Sequence, residues 1–476
     1  MYIFLVYLFT GFANSQGINV SLNKKAIEAL KDSYVPHLKT SVESFGLPDL
    51  EVPLSFMNVY LSNITVTKFQ LSPSNVQITL KPETSSLNLV ITNFTIELHA
   101  YVEYTHLFKF GGTIFFSITN STLEYPLVVK KTQEGKLSVY VDHALGDLSS
   151  LEFRTEADSW VLWALASLGY IWPLDQLDNW VVSHVIKTVG NYINPHIQKI
   201  VDSLCFYSPI GSFPIGIDYH LTDFSIKNYQ TDSSVKGQFF VKTNPSLKPP
   251  FVPLRYAEFQ TNDTLRIQLT HDFFKSFFWS LHASDSFKVY IDSQKASESS
   301  PFDFSTKGLS LVVPELKSAY STNSPVDLYC EISKTPQISI QTYISLEFTG
   351  HCDFIVRKNS KKAFRANLGM QAEWNWWVQN EQSFVYLKGK VKSPVFNQLE
   401  VTESTIGEVE TLSTLSALNW VSGPIADIMN IYMQEGKVMM PLPEGLLLKQ
   451  VHLKAYSNAI EVGATPDFSA LLSYLK

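Results

Sequence analysis

The chain has 476 residues, of which 45% are hydrophobic, 13% aromatic and only 17% charged; this excludes a disordered chain and, at about 150 residues per domain, points to two or three domains. Lys and Arg number 37 against 44 Asp and Glu, a net charge of −7, and no basic tract offers the phosphate neutralisation that a nucleic-acid partner requires. The 32 Phe and 22 Tyr supply more apolar ring than a core demands, which points to an apolar ligand.

Residues 1–15 carry no charged side chain and include Tyr2-Ile3-Phe4-Leu5-Val6-Tyr7-Leu8-Phe9 ahead of the small residues Ala13-Asn14-Ser15. This is the pattern of a secretory signal cleaved near Ser15 or Gln16. From Lys24 to Phe45, Ile27, Leu30, Tyr34, Leu38, Val42 and Phe45 recur every three or four residues, predicting an amphipathic helix that Pro36 kinks. After Pro48 the period falls to two, in the runs 57–66, 76–80, 87–91, 94–98, 112–118 and 137–141, which predicts antiparallel strands with one buried face. A second long helix is expected at about 173–204, preceded by the apolar run Ser159–Leu174. That run is 16 residues long, short of the ~20 a membrane span needs.

The stretch Asn244–Pro253 holds Pro245, Pro249, Pro250 and Pro253 and sustains neither helix nor central strand, so it reads as a linker. Beyond it the order returns: a helix at 271–281, strands from about Leu309 to Leu399, a helix at about 411–434 and a closing strand at 450–455. The chain therefore divides into a signal (1–15), an N-terminal domain (16–243), the linker (244–254) and a C-terminal domain (255–476), the two domains repeating one architecture.

Five sequons, at Asn19, Asn63, Asn93, Asn120 and Asn262, predict glycosylation along a secreted route. The three cysteines are too few for a disulfide framework. Cys330 and Cys352 lie in neighbouring strand-like runs and are expected to form a hairpin staple, leaving Cys205 as a buried thiol. No G-x-S-x-G elbow, Walker loop, H-E-x-x-H or C-x-x-C motif occurs, so neither enzyme activity nor a metal or other cofactor is expected. A lipid hydrolase would need a nucleophile that the sequence does not offer. An adhesive β protein would not need the long apolar helices.

Four stretches carry a resemblance: Gly17–Leu30, Val66–Ile78, Lys236 through Val252-Pro253 to Phe274, and Trp420 through Tyr432 and Pro441-Leu-Pro443 to the final strand. In collinear order over nearly the whole mature chain, they resemble the secreted family of bactericidal/permeability-increasing protein and lipopolysaccharide-binding protein, which includes the plasma cholesteryl ester and phospholipid transfer proteins. The resemblance implies an α+β fold: a boomerang of two tubular barrels, each a twisted antiparallel sheet wrapped around a long helix, joined by a shared central sheet. It also implies a secreted monomer that holds phospholipid or other acyl chains in an apolar pocket of each domain, touches membranes transiently and transfers lipid between them. The alternative is an antibacterial protein that binds lipopolysaccharide.

Pocket candidates are the helix-face residues Ile27, Leu30, Tyr34 and Leu38 in the first half, and Phe273, Phe274, Phe277, Phe278, Ile425, Ile428 and Met429 in the second. Two departures stand out. Cys205 is the only cysteine of its half, so the family's N-domain staple is absent. Residues 17–245 hold 16 Lys and Arg against 21 Asp and Glu, so the cationic field of the endotoxin binders is missing; Lys24-Lys25 and Lys130-Lys131 read as solvated charge. Two tryptophan clusters remain: Trp160, Trp163, Trp172 and Trp180, read as core or pocket lining, and Trp374, Trp376 and Trp377, where alternation puts Trp377 on the opposite strand face. Either is suited to a headgroup zone.

Overall fold

The computed structural model describes residues 17–43, 49–54, 57–105, 109–143, 145–147, 151–157, 207–247, 249–250, 259, 262–294, 303–320, 323–341, 343–358, 360–392, 394–433, 437–440, 442 and 445–469. The signal sequence, the expected second long helix with its four tryptophans, and Cys205 lie outside them.

The chain opens with β1 (Ile18–Asn23) and runs directly into α1 (Lys24–Glu43). Asn23 caps this helix, its Oδ1 accepting from the Ala26 N–H at 3.1 Å. α1 continues through Pro36 as one element. β2 (Leu50–Leu54), β3 (Met57–Gln70), β4 (Val76–Lys81), β5 (Ser86–Thr105), β6 (Lys109–Lys131), β7 (Leu137–Val141), β8 (Leu145–Asp147) and β9 (Leu151–Ala157) form one antiparallel sheet of eight strands. The predicted runs 87–91 and 94–98 are one strand, β5, and 112–118 is the middle of the 23-residue β6. At ~3.4 Å per residue such a strand is too long to stay flat under its own twist. β6 accordingly curls and pairs with β5, β7, β8 and β9 along its length.

β10 (Tyr207–Pro209), β11 (Ile215–Asp218), β12 (Leu221–Ile226), β13 (Gln230–Val235) and β14 (Gln238–Val241) follow. The second half comprises β15 (Leu265–Thr270), α2 (His271–Ala283), β16 (Lys288–Ile291), α3 (Thr306–Leu309), α4 (Glu315–Ala319), β17 (Val326–Ile332), β18 (Gln337–Ile340), β19 (Ile344–Val356), β20 (Lys361–Glu381), β21 (Phe384–Val391), β22 (Val395–Ser404), α5 (Thr411–Trp420), α6 (Ser422–Met433), β23 (Val438–Met439), β24 (Leu447–Tyr456) and β25 (Ala459–Asp467). Two expectations are corrected. The segment after Leu309 is helical and turn-like until β17, and the helix expected at 411–434 is two helices that meet at Val421. The 21-residue β20 plays the part of β6, pairing with β19, β21 and β22 in a second curled sheet of eight strands.

A six-stranded sheet, in the order β12-β13-β1-β15-β25-β24, takes three strands from each half. β1, which the sequence reading left without an element, is its hinge pin: it pairs antiparallel with β13 on one side and β15 on the other. Strand alternation sends Ile18, Val20 and Leu22 into the core and Asn19 and Ser21 to the opposite face, where they are also buried. Hydrogen bonds across the sheet offset much of that burial: Asn19 Nδ2 donates to Gln268 Oε1 at 2.8 Å, and the Arg266 guanidinium donates to Ser21 Oγ at 2.6 Å and Gln230 Oε1 at 2.8 Å, while Asn19 Oδ1 has no hydrogen-bond partner among the described residues. Asn19 is fully buried, so the expectation of a glycan there is withdrawn.

The apolar core that spans both halves includes Ile27 and Leu30 of α1, Phe239 of β14 and four phenylalanines of α2; a separate cluster in the C-terminal half gathers around Val313, Phe364 and Val421. Phe239 packs edge-on against Phe273 and Phe277 at 5.1 and 5.0 Å. Across the helix, Phe278 meets Trp374 at 5.0 Å and Phe274 meets Trp376 at 5.1 Å. Trp374 and Trp376 stack at 4.6 Å while Trp377 is exposed, the alternation the sequence predicts. Beyond burial, ring pairs of this kind contribute about 0.5–1.5 kcal/mol each. α2 is thus the bolt between the halves.

Candidate ligand cavity in the C-terminal half

β17, β19 and β20 lie side by side, and directly opposed residues of a pleated sheet share a face. One rung is Leu328, Phe354 and Phe364; the next is Cys330, Cys352 and Ala366. Phe354 and Phe364 stack at 4.1 Å, and Cys330 and Cys352 are joined by the expected disulfide. Leu368 and its β22 neighbour Leu399 extend this floor. Above it lie Leu309, Val312 and Val313 from α3 and the turn beyond it, and Thr414, Leu418, Val421 and Ile425 from α5 and α6. Their spacing of four, three and four makes one helical stripe that continues across the Val421 break. Floor and roof enclose a cavity of about 80 Å³.

Carboxylates tie the roof segments together. Glu410 caps α5, accepting from the Leu412 and Ser413 N–H groups, and the bonds from Ser413 hold its carboxyl below the usual range. Glu315 Oε1 accepts from the Glu410 N–H at 3.1 Å, tying α4 to α5. Leu311, Leu412 and Trp420, on the roof segments, are exposed.

The alternate positions of the floor strands carry charge on the opposite face. Arg365 grips Asp353 at 2.6 and 2.7 Å, holding its carboxyl below the usual range. Burial pushes the Asp327 carboxyl up, but bonds from Arg357 at 2.7 and 3.1 Å, from the Ser293 N–H and hydroxyl, and from the Tyr290 hydroxyl overcome it and leave it strongly depressed. One face of the sheet is therefore oily and the other ionic. Among the described residues no cluster of His, Cys, Asp or Glu suits a metal, and no helix is long and apolar enough to cross a membrane.

Of the pocket candidates, Ile425 lines the cavity. Phe273, Phe274, Phe277 and Phe278 do not; at 0–3% exposure they are closed core at the junction. Ile27 and Leu30 are core as well, with Tyr34 half-buried beside them and its hydroxyl pushed up by burial. Ile428 and Met429 belong to α6 and Leu38 to α1, but their side chains lie outside the described residues. The lining residues the sequence reading missed come from α3 and the segments on either side of it, from β17, β19, β20 and β22, and from α5 and its junction with α6. Strand alternation was the available signal for Leu328, Phe354 and Phe364.

A model of the C-terminal domain of the LBP / BPI / CETP family matches residues 212–468, more than half of the chain. The chain belongs to the LBP / BPI / CETP family. The match begins in the loop before β11, ahead of the proline-rich stretch at 244–254. Human phospholipid transfer protein is 22% identical over 250 residues, which are 52% of this chain and 49% of that protein; the chain thus spans about half the length of the curated relative it matches. The crystal structure of a lipopolysaccharide binding protein superposes with a TM-score of 0.55 at 14% identity, covering 95% of this chain and 99% of the other. This is a likeness of fold, in keeping with two curled sheets and a shared one between them.

Proposed function

We propose that the protein is a secreted, non-enzymatic carrier of acyl lipids that seats hydrocarbon chains in the cavity of its C-terminal half and in a counterpart in its N-terminal half, and passes lipid between membranes it touches transiently. The observation that carries this reading is an apolar floor roofed by two helices, in a chain of the LBP / BPI / CETP family. Likeness to a human protein named for phospholipid transfer supports the transfer step. At ~0.8 kcal/mol per buried CH₂, an acyl chain needs no charged contact to be retained. The cavity of about 80 Å³ is below the ~150 Å³ that accepts benzene, so loading requires α5 and α6 to lift from the floor.

Native mass spectrometry of the purified full chain, followed by solvent extraction, tests the reading. One or two phospholipids per chain are expected; a protein that retains none and takes up none from phosphatidylcholine vesicles overturns it. Lipopolysaccharide binding, the alternative within the same family, is weakened by the net charge of −7. Selective, salt-sensitive capture of vesicles containing lipid A would favour it.

A further inference from the structure

Asn63, Asn93 and Asn120 are exposed and have left-handed backbone, with φ of 52°, 48° and 49°. Each stands in a β-bulge of the N-terminal sheet. Between the pairs Ser62↔Tyr101 and Thr65↔His99, β3 carries an extra residue at Asn63 and Ile64. Between β5 and β6 the register shifts twice, on either side of the pair Phe94↔Ser121. On one side Thr92 and Asn93 oppose Thr122; on the other Thr95 opposes Thr119 and Asn120. The motifs Asn93-Phe-Thr95 and Asn120-Ser-Thr122 therefore lie head to tail against each other, each asparagine beside the other motif's threonine.

A bulge residue with positive φ favours Gly or Asn on backbone grounds alone. Those grounds do not call for a hydroxyl two residues later. Asn458 also has positive φ, at 68°, and is followed at that place by Ile460. The three bulge asparagines have threonine there, and none of their side-chain amides bonds to another described residue. Asn19 has the same motif, but its amide bonds Gln268 inside the shared sheet.

We propose that Asn63, Asn93 and Asn120 each carry an N-linked oligosaccharide, that those on Asn93 and Asn120 rise from neighbouring points of the sheet, and that Asn19 carries none. In the transfer, Nδ2 bonds the anomeric carbon of an oligosaccharide held on a polyprenyl diphosphate. The anomeric C–O bond breaks, the polyprenyl diphosphate leaves and an amide proton passes to base. A chain modified at Asn19 has no way to seat β1 between β13 and β15, so it does not reach the folded, exported pool. The sugars also close the middle of β5 and β6 to docking.

The test exports the full chain from cultured eukaryotic cells behind a heterologous leader, releases glycans enzymatically in ¹⁸O-water and maps labelled peptides. Label at Asn63, Asn93 and Asn120 with none at Asn19 is expected; its absence at any of the three, or its presence at Asn19, overturns the proposal. Thr95→Ala and Thr122→Ala remove each motif while leaving the asparagine in its bulge. Each is expected to remove one glycan's mass from the folded protein, and an unchanged mass refutes occupancy at that site.

Discussion

Filling the cavity is the most direct way to ask whether it matters. Ala366 sits in its floor, in the rung of the disulfide, and Ala366→Leu pushes three further carbons into the space. A cavity of about 80 Å³, at ~24 cal/mol per Å³, represents about 2 kcal/mol of unrealised packing. Three buried carbons at ~0.8 kcal/mol each give a similar figure, about 2.4 kcal/mol. The delipidated variant is therefore expected to gain up to ~2 kcal/mol, read as a higher urea midpoint at unchanged slope. It is also expected to lose one lipid per chain by mass spectrometry. A variant that instead loses ~1–3 kcal/mol through overpacking and keeps its full lipid content refutes the reasoning, because the lipid then sits elsewhere.

Phe278→Ala empties a core position rather than a pocket, so it is expected to cost ~3–5 kcal/mol with lipid stoichiometry unchanged; altered lipid content at unaltered stability would restore Phe278 to the pocket. Replacing Cys330 and Cys352 together by serine opens a crosslink with a sequence separation of 22, for an expected loss of about 3 kcal/mol in non-reducing urea titrations; no loss would mean the paired strands suffice. The folded Asp327 carboxyl titrates below its unfolded value of about 3.9. Its contribution is thus complete above that pH and is lost as the pH falls toward the folded pKa. Asp327→Asn is expected to lower the urea midpoint at pH 7 and to flatten its decline below pH 4; a parallel curve would show that the Arg357 pair carries no linkage.

What the sequence disclosed followed from periodicity. The step of three or four placed α1 and α2, and strict alternation predicted β7 with its observed limits. Alternation also separated Trp377 from Trp374 and Trp376. It broke down where one strand carries two patterns: β5 was split in two because the bulge at Asn93 resets the phase. β1 alternates strictly from Ile18 to Asn23, so its strand signal was present and was passed over; what alternation does not disclose is that its polar positions, Asn19 and Ser21, are buried too. The phenylalanines of α2 were assigned to a pocket because apolar periodicity does not distinguish a face packed on Phe239 and Trp374 from one facing open space. The actual cavity gathers its lining from segments more than a hundred residues apart, and Leu309, Val312 and Val313 come from short helical turns with no period to read.

The position of β1 governs how the molecule is made. Ser21 and Arg266, on paired strands, are 245 residues apart in the chain, which at ~5–20 residues per second is about 12–50 s of synthesis. Until β13 is made the opening strand has both edges unpaired, and its β15 edge stays open for the whole interval; Asn19, Ser21 and Asn23 keep it wettable and slow to aggregate. The sheet is completed only when β25 settles on β15. A chain cut short before Ala459 thus leaves one edge of β15 exposed, and completion of the shared sheet waits on the last of the described strands.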